Sequence, residues 1–566
     1  MKYPALVMLL FILIPFLCCG QQHLSLSIDD PFYYLMEIAE IKSDQGFLPA
    51  AKPYSIARSL SFLDTMNNST AFSINEKTII RSMISRLTNK TIGAHETNVS
   101  ASGPMGMFYT GIWFESLLQA NFNDVSAWHM SNALRFYLKG DISDFLSYYG
   151  AVGITYDKVG PTSFVPYGFT KEWDGFHANA GTPRYSADGI EPYPYFSFIL
   201  EDEITAEFFD KNLLMSFSRF RRDWSIGDGD LLLSKTARPF QGVDIQARLA
   251  PWVQFSYTLG SLSDWQREET YDPLDPENPS FQKMLTVQMF EFFPFSWLYL
   301  STGAAAVWGR RFDLGYMNPV MYPVLHQNIG GNHDNVMLNV RCAAVIPGWA
   351  KIYGSFFADE MDLEDPGRFF SSPRNMMAMQ AGIKVPVPGV PFTLVTIQYT
   401  KIEPFVYAHY PEAGVSTTEG YLDVSYTNDG ENLGYRLQPN SDELLVKIES
   451  LFTPEWHFLF SYQLIRHGTN DAALLAGAPA IYGDINEYFD YNQIGLYPEK
   501  NFLEDGYYDW NNIFSLQTSY RFSGFPAIIT LFYNFSVTVW DMNSTGVSSI
   551  AAEFRNIVGI KLKLFY

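Results

Sequence analysis

Cysteine is nearly missing from this 566-residue chain: of 3 in all, Cys18 and Cys19 sit in the first twenty residues and Cys342 stands alone. A disulfide framework and a cysteine metal site are thereby excluded from the body of the protein. Charge is scarce too, 17% of residues against roughly 25% in an average soluble protein. Cations are the scarcer half, 38 Lys plus Arg against 60 Asp plus Glu for a net charge of -22. An extended nucleic-acid-binding face, which needs clustered basic side chains, does not fit that balance. Past the opening residues there is no run of about 20 apolar residues that could cross a bilayer as a helix. What the chain does have is 47% hydrophobic and 16% aromatic residues, with 40 Gly and 32 Pro. So much apolar surface to bury excludes intrinsic disorder. A large β-rich protein remains, soluble or membrane-embedded.

The opening residues point to export. Lys2 precedes an apolar stretch, Ala5 to Ile14, too short to span, and small residues follow at Cys18, Cys19 and Gly20. This is the pattern of a secretory signal peptide over residues 1–20, with Gln21 as the first mature residue. Phe16-Leu17-Cys18-Cys19 also reads as a loose lipobox with an acylated cysteine, and both readings stand. An exported chain with a β-rich body has the bacterial outer membrane as an allowed destination.

Two periodicities divide the mature chain. Residues 21–104 form a helical region and linker, expected on the periplasmic side. Phe32, Leu35, Met36, Ile38 and Ala39 recur at three- and four-residue spacing, a second helix fits Tyr54 to Met66, and Ser73 with Glu76 reads as a capping box opening a third helix through Leu87. Thr88 to Pro104 reads as the linker. From residue 105 to 566 the period is two. In Ala527 to Val539 the odd positions are apolar, while Thr530, Asn534, Ser536 and Thr538 occupy even ones. Ile513 to Phe522, Trp456 to Leu464 and the last strand, with Val558, Ile560, Leu562, Leu564 and Tyr566 on one face, repeat the device. Such strands suit a sandwich whose apolar faces meet each other or a transmembrane barrel whose apolar faces meet lipid. The terminal aromatic residue, the leader and the low charge favour the barrel. The length accommodates about 18 strands of roughly ten residues with their connections. The longest polar connections, Asp264 to Pro279, Asp359 to Pro373, Tyr410 to Asn432 and Ile481 to Asn511, are expected to face outward.

Chemistry is sparse. Acid clusters such as Glu201-Asp202-Glu203, Asp359-Glu360 and Asp442-Glu443 read as solvated loop acids, and no pair can be placed across a cleft from sequence. The Gly-x-Ser-x-Gly elbow, the His-Glu-x-x-His pair and a phosphate-binding Gly-rich loop are absent. Asp228-Gly229-Asp230 lacks the rest of a calcium loop, and Gly227-Asp228-Gly229 reads as a strand-connecting turn. No catalytic residue, cofactor or metal ligand is assigned. Binding is left. Rings at Tyr482, Tyr488, Tyr491, Tyr507, Tyr508 and Trp510 could cover sugar C–H patches while planar polar groups pair with hydroxyls, or could belong to an interfacial girdle.

A series of ordered stretches carries a resemblance. They run from Asp30-Pro31-Phe32-Tyr33-Tyr34-Leu35 through Arg219 to Trp224, Leu231-Leu232-Leu233-Ser234 and Ala237-Arg238-Pro239-Phe240. Asn318-Pro319, Asp334-Asn335, Leu338-Asn339-Val340-Arg341, Ile352 to Glu360, Tyr399 to Pro404, Tyr407-Ala408-His409 and Leu433-Gly434 follow. Together they resemble the capsule assembly protein Wzi family of outer-membrane proteins, unevenly over most of the mature chain. The resemblance implies an 18-stranded barrel with a small N-terminal helical bundle at its periplasmic end. It also implies a non-enzymatic role in binding, attaching or assembling surface polysaccharide. Gln398 departs from it, standing where an acidic residue is expected. Within these stretches Asp334, Asn335, Asp359, Tyr407 and His409 are the candidate ligand-binding residues, with Tyr407 and His409 of one parity on a strand. The expected partners are surface polysaccharide, outer-membrane lipid and the barrel-assembly machinery, with no nucleic acid and a monomeric chain. A channel and a surface adhesin are the alternatives.

Overall fold

Side chains two apart share a face of a strand, so alternating sequences commit one face to apolar surroundings. The computed structural model describes residues 23–565 except 44–45, 89–98, 104–105, 161–184, 187–188, 191–194, 237, 263–282, 310–311, 331–333, 362–365, 373, 410–423, 429–430, 469–501, 504–507 and 543–548. The leader, with both signal readings and Cys18 and Cys19, lies outside the described residues.

Eighteen strands form a closed antiparallel barrel. The first nine are β1 (Gly106–Asn121), β2 (Asp124–Ser143), β3 (Leu146–Val159), β4 (Tyr195–Phe208), β5 (Leu213–Phe220), β6 (Phe240–Ala250), β7 (Val253–Leu262), β8 (Lys283–Phe295) and β9 (Leu298–Gly309). The rest are β10 (Asn335–Ile346), β11 (Ala350–Glu360), β12 (Met376–Pro386), β13 (Thr393–Ile402), β14 (Ser441–Ser450), β15 (Trp456–Gly468), β16 (Tyr508–Arg521), β17 (Ala527–Met542) and β18 (Ser549–Phe565). Each pairs with its successor, and β18 returns to β1 from Trp113↔Phe565 to Asn121↔Ile557. That last ladder removes the sheet edge, the condition for strands to stand in hydrocarbon. A short strand, Val99–Gly103, expected within the linker, instead pairs with Gly106–Thr110 beyond the end of β18.

The alternation resolves as lipid outside and polar residues inside. On β17 and β18, Leu531 is 50% and Ile560 43% exposed, whereas Asn534 and Ser536 are buried. Inside, Lys563 meets Glu115 at 2.8 Å and Arg135 meets Glu201 at 2.7 Å. Connections alternate in length between the two ends. One end has only tight turns such as 144–145, 251–252, 296–297 and 347–349, and the other carries nearly all the long segments. Exposed Trp252, Phe295, Trp297, Trp349, Trp456 and Phe525 ring the tight-turn end, as an interfacial aromatic girdle does.

Three helices close that end: α1 (Pro31–Lys42), α2 (Ile56–Asn68) and α3 (Ile74–Leu87). Asp30 caps α1, accepting from Phe32 N at 2.9 Å ahead of Pro31. The capping box of α3 is present, with Ser73 N donating to Glu76 Oε2 at 2.8 Å and Glu76 N to Ser73 Oγ at 3.3 Å. Phe32, Leu35, Ile38 and Ile80 pack with Phe392, Leu394 and Leu451 of the turn region. Lys351 pairs with Glu40 at 2.6 Å and Lys384 with Glu37 at 2.8 Å, and Gly348 N donates to Ile41 O at 2.7 Å.

Three of the four expected outward loops are corrected at their bounds. Asp359 belongs to β11, Tyr508 to Asn511 belong to β16, and 424–428 with 431–432 fold into the barrel. Asp264 to Pro279 lies outside the described residues.

Ile560 lies near mid-height on the lipid face. Replacing it with arginine is expected to destabilise the barrel by about 2–4 kcal/mol, read as a shifted urea unfolding midpoint in lipid vesicles.

Candidate functional site

An eighteen-strand barrel encloses more width than the wall's own side chains fill, so the lumen must be wet or plugged. Here, the described parts of two connections from the long-loop end turn inward: 221–236 and 238–239 between β5 and β6, and 403–409, 424–428 and 431–440 between β13 and β14. Their composition explains the turn. Trp224, Ile226, Leu231, Leu232 and Leu233 on the first, and Phe405, Val406, Tyr407, Tyr426, Leu433 and Tyr435 on the second, are all buried in one cluster with Tyr353 and Phe357 of the wall. Burying each large apolar side chain contributes roughly 1.5–3 kcal/mol that a water-exposed loop would forgo.

Polar wall residues hold the backbone of 221–239. The Gln398 carboxamide grips Asp228 from both sides: Oε1 accepts from Asp228 N at 2.9 Å, and Nε2 donates to Asp228 O at 3.0 Å. The same group accepts from Tyr353 OH at 2.7 Å and donates to Tyr435 OH at 3.0 Å. A carboxylate lacks the donor for half of this, which accounts physically for the departure at position 398. Arg341 donates to Trp224 O at 2.6 Å and lies 3.1 Å from Asp230, whose Oδ1 caps Leu232 N and Leu233 N at 2.7 and 3.0 Å. Lys384 donates to Gly227 O at 3.1 Å. Gly227 is needed for close approach, because a Cβ there would lie 2.5 Å from the Tyr353 ring.

The two inserted segments also hold each other. Tyr407 OH donates to Leu231 O at 2.9 Å, Tyr426 OH to Leu232 O at 2.5 Å, and Ser234 N to Leu433 O at 2.8 Å. Gly434 sits where a Cβ would meet Tyr407 at 2.6 Å. Asp228 is flanked by Lys447 at 2.5 Å and Arg436 at 3.0 Å. Burial would push its carboxyl up, and those cations overcome it, holding Asp228 well below the usual carboxylate range.

From the opposite end, residues 46–54 enter the barrel beneath this plug. Ala50 N donates to Glu291 at 2.6 Å, and Lys52 bridges Asp223, with Lys52 N donating to Asp223 O at 2.9 Å. Material from both ends meets there. The N-terminal segment is fastened by His23, hydrogen-bonded to Glu207 and to Asp144 O at 2.7 Å each, and by Ser25 N, which donates to Glu203 at 2.9 Å.

Four of the five candidate residues converge on the second inserted segment. Asp359 accepts from Tyr407 N at 2.5 Å, Asn335 donates to Val424 O at 3.1 Å, and His409 N donates to Ser425 Oγ at 3.3 Å. Asp334 adjoins Asn335 at the start of β10, its carbonyl accepting from Gln327 Nε2 at 3.0 Å. All five are buried. Tyr407 and His409 are not on a strand: φ is +64° at Phe405 and +73° at Tyr407, left-handed conformations that turn the chain back inward. Gly227-Asp228-Gly229 is likewise not a strand-connecting turn but the deepest part of the first insertion. The roles of Arg341 and Tyr353 had no signal beyond inward parity and their place in the resembling stretches, Gln398 stood out only as a departure from the resemblance, and Tyr435, on the second insertion, had no strand parity to mark it. Leu231-Leu232-Leu233 did break the alternation, which marks it as no ordinary loop. Of the predicted ring set, Tyr508 and Trp510 are on β16 with centroids 6.0 Å apart and Arg466 is 5.3 Å from the Trp510 ring; Tyr482, Tyr488, Tyr491 and Tyr507 lie outside the described residues. Among the described residues, no group of three or more His, Cys, Asp or Glu is placed to hold a metal ion.

No family model and no curated protein matches the chain. Solved structures do. Wzi, an outer-membrane protein involved in group 1 capsule assembly in Escherichia coli and described as a carbohydrate-binding β-barrel, is 14% identical over 96% of this chain and 99% of its own, with a TM-score of 0.55. OccAB3 of Acinetobacter baumannii and OccK3 of Pseudomonas aeruginosa are each 9% identical over 81% of this chain, covering 98% and 95% of their own, both with a TM-score of 0.39. The fold expected from the resemblance is thus the fold found.

Gln398→Glu removes the donor to Asp228 O and Tyr435, and is expected to cost about 1–3 kcal/mol, seen as lost hydrogen-exchange protection of Asp228 and Leu231–Leu233 with the barrel intact. A pH dependence is expected at His23. Burial lowers its pKa, but Glu207 and the Asp144 carbonyl raise it further, so the net value is above the usual one for imidazole. The fastening is then complete below about pH 6.5 and weakens as pH rises through the raised value. Exchange protection of Ser25 and Leu26, corrected for intrinsic rates, should fall across that window in the native chain and be flat in His23→Gln.

Proposed function

We propose that this protein is a non-enzymatic outer-membrane barrel that binds surface polysaccharide and helps to hold or assemble it at the cell surface. The single observation carrying the reading is the plug, two insertions buried in the lumen in one apolar cluster with the wall. Two apolar insertions and the helical mouth occupy the path a permeating solute would take, which disfavours a wet pore and leaves the long-loop end as the working surface. The fold shared with a carbohydrate-binding barrel supports the same reading. On this view residues 1–20 direct export and are cleaved, residues 21–104 lie on the periplasmic side, and residues 105–566 form the barrel, inserted by the barrel-assembly machinery as a monomer.

Asn335, Asp359, Tyr407 and His409 act in this reading by shaping the inner floor of the glycan surface, and Asp334 by fixing the start of β10 beside them. Rings at the rim, Tyr508 and Trp510 with Arg466, offer the stacking faces and planar donors that sugars favour.

Deleting the gene and staining surface glycan in cell-bound and shed fractions tests the proposal. Glycan is expected to move from cells to medium, and the purified barrel is expected to be silent in a liposome conductance assay. Unchanged glycan with steady conductance would establish the channel alternative instead.

A further inference from the structure

The connection between β9 and β10 takes a different course from the two insertions. Instead of rising from the rim or entering the lumen, residues 312–330, which include α4 (Pro323–Gly330), fold down over the outside of the wall. Tyr257, Gln288, Ala304, Ala306 and Trp308 belong to the outward parity of β7, β8 and β9, yet all are buried. Gln288 Nε2 donates to Asn318 O at 3.3 Å and to Met321 O at 2.7 Å, and Tyr257 OH donates to Met317 O at 2.9 Å. Trp308 stacks on Tyr316 at 5.0 Å.

The height of this contact can be read from the register. Gln288 pairs with Ala304 and Phe295 with Leu298, beside the aromatic girdle. Six residues of a tilted strand rise roughly 15 Å, within an apolar band about 25 Å tall. The covered wall therefore lies in the half of the hydrocarbon toward the long-loop end. A bare glutamine there would be left without partners, and the segment supplies them.

Irregular backbone is normally excluded from lipid because its polar groups go unpaired. This segment pairs them locally. Met317 N donates to Asp313 O, Asn318 N to Gly315 O, Met321 N to Asn318 O, and His326 N to Tyr322 O. Gly315 N donates to the Asp313 side chain at 2.9 Å and Val320 N to that of Asn318 at 3.0 Å. Pro319 and Pro323 have no N–H to satisfy. His326 pairs with Asp313 at 2.8 Å, and Gly315 admits its ring where any Cβ would collide. The outer face is mostly apolar: Phe312, Leu314, Val320, Leu325 and Ile329 are exposed, with Val320 at 89%, alongside two exposed polar residues, Asn318 and Asn328. That face continues the exposed belt of the neighbouring wall.

We infer that residues 312–330 are a clasp embedded in the outer-leaflet hydrocarbon, with acyl chains as the partner of their apolar face. The segment is a lipid-contacting part of the wall, set apart from the loops available to glycan. The inference rests on the barrel's standing in a membrane and is independent of the polysaccharide reading.

Nitroxide labels test it in the full-length barrel in phosphatidylcholine–phosphatidylglycerol vesicles. Cys342, exposed on the outer wall, serves as the hydrocarbon reference when labelled itself, and is replaced by alanine when Phe312→Cys, Val320→Cys or Leu325→Cys is labelled. The expected result is that Val320 and Leu325 labels, like the Cys342 label, collide more with oxygen than with a water-soluble nickel complex, and that the Val320 label is deeper than the Phe312 label. Preferential collision with nickel would overturn the inference and make the segment a water-facing loop. Broadening between labels that grows with protein-to-lipid ratio would overturn it in favour of a second copy of the chain. Adding Gln288→Leu should increase the mobility of the Val320 label, and unchanged mobility would show that the clasp is not anchored there.

Discussion

Hydrocarbon offers no partner to a backbone N–H or C=O, and the rest of this architecture follows from that deficit. The wall must close on itself, so β18 must pair with β1, and every outward side chain between the two interfaces must be apolar or covered. Closure at eighteen strands then creates a second requirement. A tube of this width has an interior that its own inward residues do not fill.

The chain meets that requirement with segments that are neither strand nor helix. Described residues of the β5–β6 and β13–β14 connections descend from one end, and residues 46–54 with α1 rise from the other, until Lys52 and Asp223 pair their backbones inside. Irregular backbone in a dry interior must be satisfied by side chains. Here Gln398, Arg341, Lys384, Tyr407 and Tyr426 do so, each bonding to a main-chain atom of the first insertion. The same solution recurs on the outer wall, where Gln288 and Tyr257 satisfy carbonyls of the clasp. The amide and hydroxyl side chains among them can donate and accept without bringing a charge, whereas Arg341 and Lys384 donate only and are balanced by Asp230 and Glu37.

Legibility followed the range of the interaction. The capping box at Ser73 and Glu76, the dyads of β16, β17 and β18, and the closing strand were readable because each depends on neighbours two to four residues away. Tyr407 was harder. Its alternation with His409 looks like strand parity, but a left-handed backbone at 405 and 407 and a partner 176 residues distant decide where it points. Gly227 looked like a turn residue for the same reason, since the Tyr353 ring that demands a glycine comes from β11.

By itself, the sequence determined that this is a β-rich chain whose strands each carry one apolar face, because period and composition are local properties. Only the tertiary structure decided that two connections plug the lumen, that Gln398 rather than an acid holds the first of them, and that one long connection lies against the outer wall. Those outcomes depend on which polar group faces which distant carbonyl across a closed barrel, and no local pattern encodes that pairing.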